Sequence, residues 1–169
     1  MSDLVFPDHK VQGWFPVTDE RGHPVARIKA AWTGGRFTVT APDDKPLCRG
    51  WATTAGLSGV WKVVGANDVL PLLTVKVGLL RNRSTIRLER GPQLVMRGNP
   101  WLTGFTVTDA NGEAVLTAEH RHHDYVVHAA DRSLLRPEVL AVVQVWRMVK
   151  KATIAATVAA TSTAVVTGS

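Results

Sequence analysis

A strongly apolar segment near the C terminus, residues 139–149, sets the first constraint on the fold. Pro137 and Glu138 precede it, and both residues favour the start of a helix. A helix over this segment is apolar on nearly every side, so most of its surface must be buried. Its length of about 16 Å is half of a hydrocarbon core of about 30 Å, so we expect no membrane-spanning helix here. The rest of the chain must therefore enclose the segment.

The residues before this segment favour short β-strands throughout. In 85–90, for example, Ile86 and Leu88 alternate with Arg87 and Glu89, which gives one apolar face and one polar face. Short strands separated by frequent turn residues indicate a mainly β sandwich or barrel. Because a barrel has no free edges and has a lumen to fill, we predict a closed sheet around the apolar helix.

An internal repeat supports a regular β architecture. The pattern Phe-x-Val-Thr-Asp-x-x-Gly-x-x-Val starts at Phe15 and again at Phe105, an offset of 90 residues. A weaker correspondence continues beyond it at an offset of 88. In each copy, Asp caps a turn through its side chain and Gly supplies a positive φ. We therefore interpret Asp19 and Asp109 as turn formers rather than as paired catalytic carboxylates.

Basic residues are concentrated in one stretch of the chain. The protein has 20 Lys and Arg against 14 Asp and Glu, a net charge of +6, and nearly all of the excess lies between residues 76 and 97. This basic stripe favours an anionic partner, although a solvated strand face has a similar composition. The six tryptophans are not interleaved with it, which disfavours nucleic acid as the partner. The candidate anion-binding residues are Arg81, Arg83, Arg87, Arg90 and Arg97.

Two further groups of residues could carry chemistry. His120, His122 and His128 lie close together in the sequence and form a candidate metal site. The alternative is a polar hairpin turn, in which neighbouring side chains diverge. The single Cys48 has no neighbouring histidine, and we interpret it as a small apolar side chain. No residue pattern indicates a cofactor or an enzymatic reaction, and the lack of an apolar leader favours a reducing, cytoplasmic location.

One stretch resembles a known family. Residues 97–115, RGNPWLTGFTVTDANGEAV, are similar to the second-half signature of LURP-one-related proteins. These proteins belong to the tubby C-terminal-like superfamily, together with phospholipid scramblases. The resemblance extends over about residues 11–150 and implies a closed antiparallel barrel of about twelve strands, built from two pseudo-repeats around the C-terminal helix. Its motifs encode turns and core strands, so they specify architecture far better than activity.

The resemblance has functional implications that differ between branches. Tubby proteins bind phosphoinositides through a basic surface, scramblases associate with membranes and move lipids, and LURP-one-like proteins have mostly unassigned roles. This chain has no residue-by-residue match to a tubby lipid site or to a scramblase calcium segment. We therefore expect a non-enzymatic binding or scaffold domain, peripheral to the membrane, that recognises anionic, phosphoinositide-like headgroups through the basic stripe.

Other functions stay open at this point. The main alternative is a small-molecule or metal-binding protein, or an enzyme, with a site at the barrel mouth near the histidines. Scramblase-like lipid movement and a protein partner are further alternatives. The sequence indicates no particular oligomeric state.

The expected domain organisation has three parts. Residues 1–10 form an N-terminal extension, 11–151 form the barrel with its central helix from about residue 137, and 152–169 form a tail. The tail is uncharged and rich in Ala and Thr. It could prolong the helix, form a disordered end, or seek a membrane behind the two lysines that precede it.

Overall fold

The computed structural model describes residues 3–31, 35–53, 59–67, 70–78, 82–101, 103–130 and 134–166. Within them, twelve antiparallel strands close into a barrel around one helix. The strands are β1 Leu4–Pro7, β2 Gly13–Asp19, β3 Pro24–Ala31, β4 Arg36–Thr40, β5 Pro46–Ala52, β6 Val60–Gly65, β7 Pro71–Val77, β8 Arg83–Leu88, β9 Gln93–Gly98, β10 Gly104–Thr108, β11 Ala114–Arg121 and β12 Asp124–Ala129, and the helix is α1 Arg136–Val166. Each strand pairs with its neighbours in the chain, and β1 completes the barrel by pairing with β12. The predicted closed barrel with an enclosed helix is confirmed.

Alternating side chains create the two faces of the barrel wall. In β8, Ser84, Ile86 and Leu88 are buried, while Arg83 and Arg87 are exposed. The same period of two runs through β3, β4 and β12. The inward faces of the strands and the helix share one hydrophobic core.

The inner half of α1 fills the lumen. Every residue from Val139 to Val149 is buried, as the apolar pattern predicts. Trp146 packs against Phe105 with ring centroids 5.1 Å apart, and it lies under Gly98 of β9. A Cβ at Gly98 would overlap the Trp146 ring, so this wall position requires glycine. The helix and the barrel wall therefore pack closely against each other at this point.

A side-chain cap marks the beginning of α1. The N–H of Leu135 donates to Oε2 of Glu138 at 2.7 Å, and burial raises the pKa of this carboxyl. Pro137 lies in the first turn, where its missing N–H leaves no helix bond unmade. The Pro-Glu pair therefore starts the helix within one residue of the predicted position.

The sequence repeat corresponds to two hairpins of the same geometry. In the β2–β3 turn, Oδ1 of Asp19 accepts two backbone N–H bonds at 2.9 Å, and in the β10–β11 turn Oδ1 of Asp109 does the same at 2.9 Å. Gly22 and Gly112 have φ angles of 81° and 87°. Both hairpins also shift register at equivalent positions of β2 and β10. Both aspartates are turn formers, as predicted.

The N terminus differs from the expected extension. β1 lies inside that extension, pairs with β12 and β2, and closes the barrel. Leu4 and Phe6 are buried in the core. Their counterparts 90 residues later, Leu94 and Met96 of β9, are also buried, so the repeat includes one strand more than its sequence identities indicate. Two buried apolar residues are enough to hold this four-residue strand in the sheet, because the strand is paired on both sides.

The two ends of the barrel differ. The lower end carries the turns that follow β2, β4, β6, β8 and β10, and α1 begins there. The upper end carries the turns that follow the odd-numbered strands. α1 emerges at the upper end, where Arg147 contacts the β1–β2 loop.

Among the three alternatives for the tail, the structure shows a prolonged helix as far as Val166. No described helix combines the length and apolarity needed to cross a membrane.

Candidate functional site

The outer faces of β3–β9 form a surface that we call the basic wall. Strand alternation points every second side chain outward, and on these seven strands many of the outward positions hold Lys or Arg. All residues of the seven strands are described, and none of them is Asp or Glu. The nine exposed cations are Arg27, Lys29, Arg36, Arg49, Lys62, Lys76, Arg83, Arg87 and Arg97. More than half of the barrel circumference is therefore positive.

Three of these cations surround a groove on β3, β4 and β5. Lys29, Thr38 and Arg49 are direct cross-strand neighbours on the outer face. At about 4.8 Å per strand, the backbones of Lys29 and Arg49 lie about 10 Å apart with Thr38 between them. Arg36 is two residues from Thr38 on the same face. The groove has a volume of about 530 Å³ and is lined by Lys29, Ala31, Arg36, Phe37, Thr38, Arg49, Gly50 and Trp51.

Two tryptophans position the cations at the edges of this groove. Nζ of Lys29 lies 5.4 Å from the ring centroid of Trp14. The guanidinium of Arg49 lies 5.8 Å from the ring centroid of Trp51. Such cation–π contacts hold a charged head against an aromatic ring without neutralising its charge. The groove therefore brings the cations Lys29, Arg36 and Arg49 together around one concavity, an arrangement that favours an anion with more than one charge.

The structure separates the arginines predicted from the basic stripe. Arg83 and Arg97 are direct cross-strand partners near the upper end. Arg87 lies four residues further along β8, about 13 Å away at about 3.3 Å per residue. Arg90 lies in the β8–β9 turn at the lower end, and Arg81 lies outside the described residues. Among the four that are described, only Arg83 and Arg97 face each other.

The groove residues Lys29, Arg36 and Arg49 lie outside the basic stripe of residues 76–97 that the sequence predicts. They are separated by many positions in the chain, and only barrel pairing places them on adjacent strands. A signal was nevertheless present in the sequence. In β3 and β5 the basic residues occupy the outward phase of the alternation, as they do in β8.

The described turns at the lower end are acidic. Their acids are Asp19, Glu20, Asp43, Asp44, Glu89, Asp109 and Glu113, against the cations Arg21, Lys45 and Arg90. The hydrogen bond from Lys45 at 2.7 Å lowers the pKa of the Asp43 carboxyl. Arg27, a wall residue near this end, pairs with Asp44 at 2.9 Å. A negative lower end and a positive wall give the barrel a charge polarity that orients it near a charged surface.

The structure places the three candidate metal-binding histidines in different surroundings. Nε2 of His120 lies 3.0 Å from Oδ2 of Asp8, and Nδ1 of His128 lies 2.5 Å from Oδ2 of Asp3. His122 occupies the β11–β12 turn with a positive φ of 55°. Within the described residues, no group of three or more His, Cys, Asp or Glu side chains could hold a metal ion. The site near the barrel mouth stays a prediction.

A buried cation fixes α1 at the upper end. The Arg147 guanidinium donates to the carbonyl of Lys10 at 2.6 Å, to the carbonyl of Pro7, and to Oε1 of Gln144 at 3.3 Å. It also lies 4.8 Å from the ring centroid of Phe15. Burial lowers the pKa of Arg147 to about 10, so the group stays charged at neutral pH. These bonds hold the β1–β2 loop against the helix.

The single cysteine is inside the barrel. The Cys48 Sγ lies 3.6 Å from the carbonyl of Pro137, and burial raises the pKa of the thiol to about 12. The thiolate, which is the nucleophilic form, is therefore absent at neutral pH. Cys48 packs as a small apolar side chain, as predicted.

Comparison with known proteins identifies the fold. No family model matches the chain, and no curated protein matches it. The X-ray structure of a protein from Arabidopsis thaliana is similar, with 15% sequence identity and a TM-score of 0.66. The two chains share a fold. The match covers 88% of this chain and 91% of the Arabidopsis chain, so the likeness extends over nearly the whole barrel.

Proposed function

We propose that this protein is a LURP-one-related, tubby-like barrel that binds anionic phospholipid headgroups at the cytoplasmic surface of a membrane. The observation that carries the proposal is the basic wall, with nine cations and no acid on seven adjacent strands. Its partner must be extended and negative, because the positive charge covers several strands. A membrane containing acidic lipids has these properties, and each Lys or Arg near such a surface contributes about 1 kcal/mol.

The groove on β3–β5 supports recognition of phosphate. Arg36 and Arg49 carry planar guanidinium groups, which can bind phosphate oxygens in pairs, and Lys29 adds a third charge. The groove is shallow and open to solvent at the wall surface. A headgroup that stays attached to its bilayer can reach such a groove.

Other features support a binding protein rather than an enzyme. The carboxylates of Asp19 and Asp109 accept backbone hydrogen bonds in their turns, and the thiol of Cys48 is protonated and buried inside the barrel. The lumen, where a barrel would hold a small substrate, is filled by the residues of α1.

Charge reversal in the groove tests the proposal. We expect the Arg36→Glu/Arg49→Glu variant to bind anionic vesicles at least 30-fold more weakly than the unchanged chain. Two contributions of about 1 kcal/mol are lost and two repulsive charges are introduced, and 1.4 kcal/mol corresponds to a factor of ten. Co-sedimentation with vesicles that contain phosphatidylserine or a phosphoinositide measures the affinity. Binding of the unchanged chain should also weaken as salt rises from about 0.1 to 0.5 M.

A matched control separates the wall from net charge. Arg21→Glu makes the same change in charge per residue in an exposed turn at the lower end, and it should change vesicle affinity by less than about threefold. Arg83→Glu/Arg97→Glu measures the contribution of the predicted stripe. Equal binding to neutral and anionic vesicles, or equal loss in the groove and Arg21 variants, would contradict the proposal.

A further inference from the structure

We propose that the upper end of the barrel faces the bilayer, and that the outer half of α1, residues 151–166, enters one leaflet without crossing it. The inference rests on the proposed function, because the basic wall brings the barrel to the anionic surface. It adds the orientation of the barrel and a second, apolar mode of attachment.

Exposed apolar side chains are concentrated at the upper end. Large apolar residues with more than one third of their surface exposed are Trp14, Leu70, Trp101, Leu135, Ile154 and Val158 among the described residues. Only Leu70 and Leu135 belong to the lower end. Trp101, in the β9–β10 turn, is 84% exposed. Tryptophan is well suited to the boundary between headgroups and acyl chains, because its ring is apolar and its N–H is polar.

The emerging helix has the length and charge pattern of a leaflet-deep segment. Residues 152–169 contain no charged side chain. Residues 151–166 extend about 24 Å at 1.5 Å per residue. Half of a bilayer that is about 40–45 Å thick, headgroups included, is about 20–23 Å. The segment therefore reaches about the middle of the bilayer.

Two threonines of this segment, Thr153 and Thr157, bond their hydroxyl groups to the helix backbone. Oγ1 of Thr153 donates to the carbonyl of Val149 at 3.0 Å, and Oγ1 of Thr157 donates to the carbonyl of Thr153 at 3.0 Å. A hydroxyl bonded to the helix backbone needs no water, so it can enter an apolar phase at low cost. Residues 152–159 of α1 thus present less polarity than their composition indicates.

Cations surround the point where the helix emerges. Lys150 and Lys151 lie at this level, and Arg83 and Arg97 lie on the neighbouring upper part of the wall. Their charges match the phosphates of an anionic leaflet, while their stems remain in contact with apolar surface. The upper end also carries the acids Asp8, Glu119 and Asp124. Asp8 lies 3.0 Å from His120 and 3.9 Å from Lys150, and Glu119 pairs with Arg121 at 3.3 Å.

The barrel also holds the emerging helix in a defined direction. The Arg147 guanidinium is bonded to the β1–β2 loop, and Lys150 donates to the hydroxyl of Tyr125 in β12. Both anchors lie within one turn of the point of emergence. The outer half of α1 continues the buried half in the same helix, and it enters a bilayer only if the upper end faces that bilayer.

A fluorophore that reports its environment tests the orientation. We place it at Val158→Cys in a Cys48→Ala chain, and the matched control is Leu135→Cys in the same chain, an equally exposed apolar site at the lower end. With anionic vesicles that contain lipids with a quencher on the acyl chain, we expect at least threefold quenching at position 158. At position 135 we expect less than 20% quenching.

A second pair of variants uses unlabelled chains. Ile154→Asn/Val158→Asn should bind anionic vesicles at least tenfold more weakly, whereas Leu70→Asn/Leu135→Asn should bind as the unchanged chain does. Circular dichroism checks that all four substitutions leave the barrel folded.

Each other outcome has a defined meaning. If the chain binds anionic vesicles but position 158 remains unquenched, it docks side-on through the wall, and the orientation is overturned while the proposed function stands. If position 158 is shielded without vesicles and the chain sediments as a dimer, the outer half of α1 binds a second copy, and the inference is again overturned. Absence of binding to any anionic vesicle overturns both the orientation and the proposed function.

Discussion

A chain that ends at Arg136 is expected to lose the cooperative fold entirely. This truncation removes eight large apolar side chains that are buried between residues 139 and 149. At about 1.5–3 kcal/mol for each, their burial contributes about 12–24 kcal/mol before entropy is subtracted. The truncation also leaves the inward faces of the strands without the helix that they pack against, and the net stability of a domain is only about 5–15 kcal/mol, so we expect the barrel to unfold. Far-UV and near-UV circular dichroism during heating should show no sharp transition.

Removal of the outer half of α1 alone provides the control. A chain that ends at Lys151 keeps the buried segment together with the bonds of Arg147 to the β1–β2 loop. We expect it to melt within about 3 °C of the full chain, since exposed residues contribute little to stability. If the chain ending at Arg136 melted as sharply and at the same temperature as the full chain, the helix would be dispensable to the barrel.

Trp146→Ala is expected to be the most destabilising single substitution, at about 3–5 kcal/mol. Trp146 is the largest fully buried side chain among the described residues, and its loss leaves a cavity between Phe105 and the β9 wall. Gly98→Ala should cost about 1–3 kcal/mol for the opposite reason, because the added methyl overlaps the Trp146 ring. Urea unfolding followed by circular dichroism measures both effects.

The double variant distinguishes this contact from a general weakness of the glycine position. In a Trp146→Ala chain the space above Gly98 is open, so Gly98→Ala should cost less than about 0.5 kcal/mol. The coupling free energy should then be about 1–3 kcal/mol. Trp101→Ala, at an exposed tryptophan, serves as the control and should change stability by less than about 0.5 kcal/mol. Additive effects of the first two substitutions would show that Trp146 does not pack under Gly98.

Much of the fold could be predicted from local patterns. The repeat beginning at Phe15 and Phe105 identified two hairpins because turn chemistry is local: an Asp caps each turn and a Gly takes a positive φ. The helix after Pro137 is apolar on nearly every side, and it predicted an enclosing sheet because most of its surface must be buried. β1 could not be predicted in this way. Its four residues carry too little local pattern, and it is held in place by strands that are far away in the sequence.

The candidate site was less predictable than the fold. A run of arginines in the sequence predicts an anion-binding stripe but not whether its members share one patch, and the strand direction carries Arg90 to the acidic lower end, away from Arg83 and Arg97. The groove cations Arg36 and Arg49 come together only through the pairing of β4 and β5. Charge on a barrel wall is a property of cross-strand neighbours, and these are fixed by register rather than by proximity in the chain.

Amide hydrogen exchange along α1 in the full chain tests the central claim, that the wall is closed around the inner half of this helix. Amides from Val139 to Val149 can exchange only when the barrel opens as a whole, so we predict that their protection equals that of the best protected strands. Amides from Ala152 to Ala159 should exchange at least a hundredfold faster in solution, since they lie outside the barrel. Equal, weak protection in both halves of α1, with strong protection in the strands, would show that the barrel is stable without the helix and would contradict the claim.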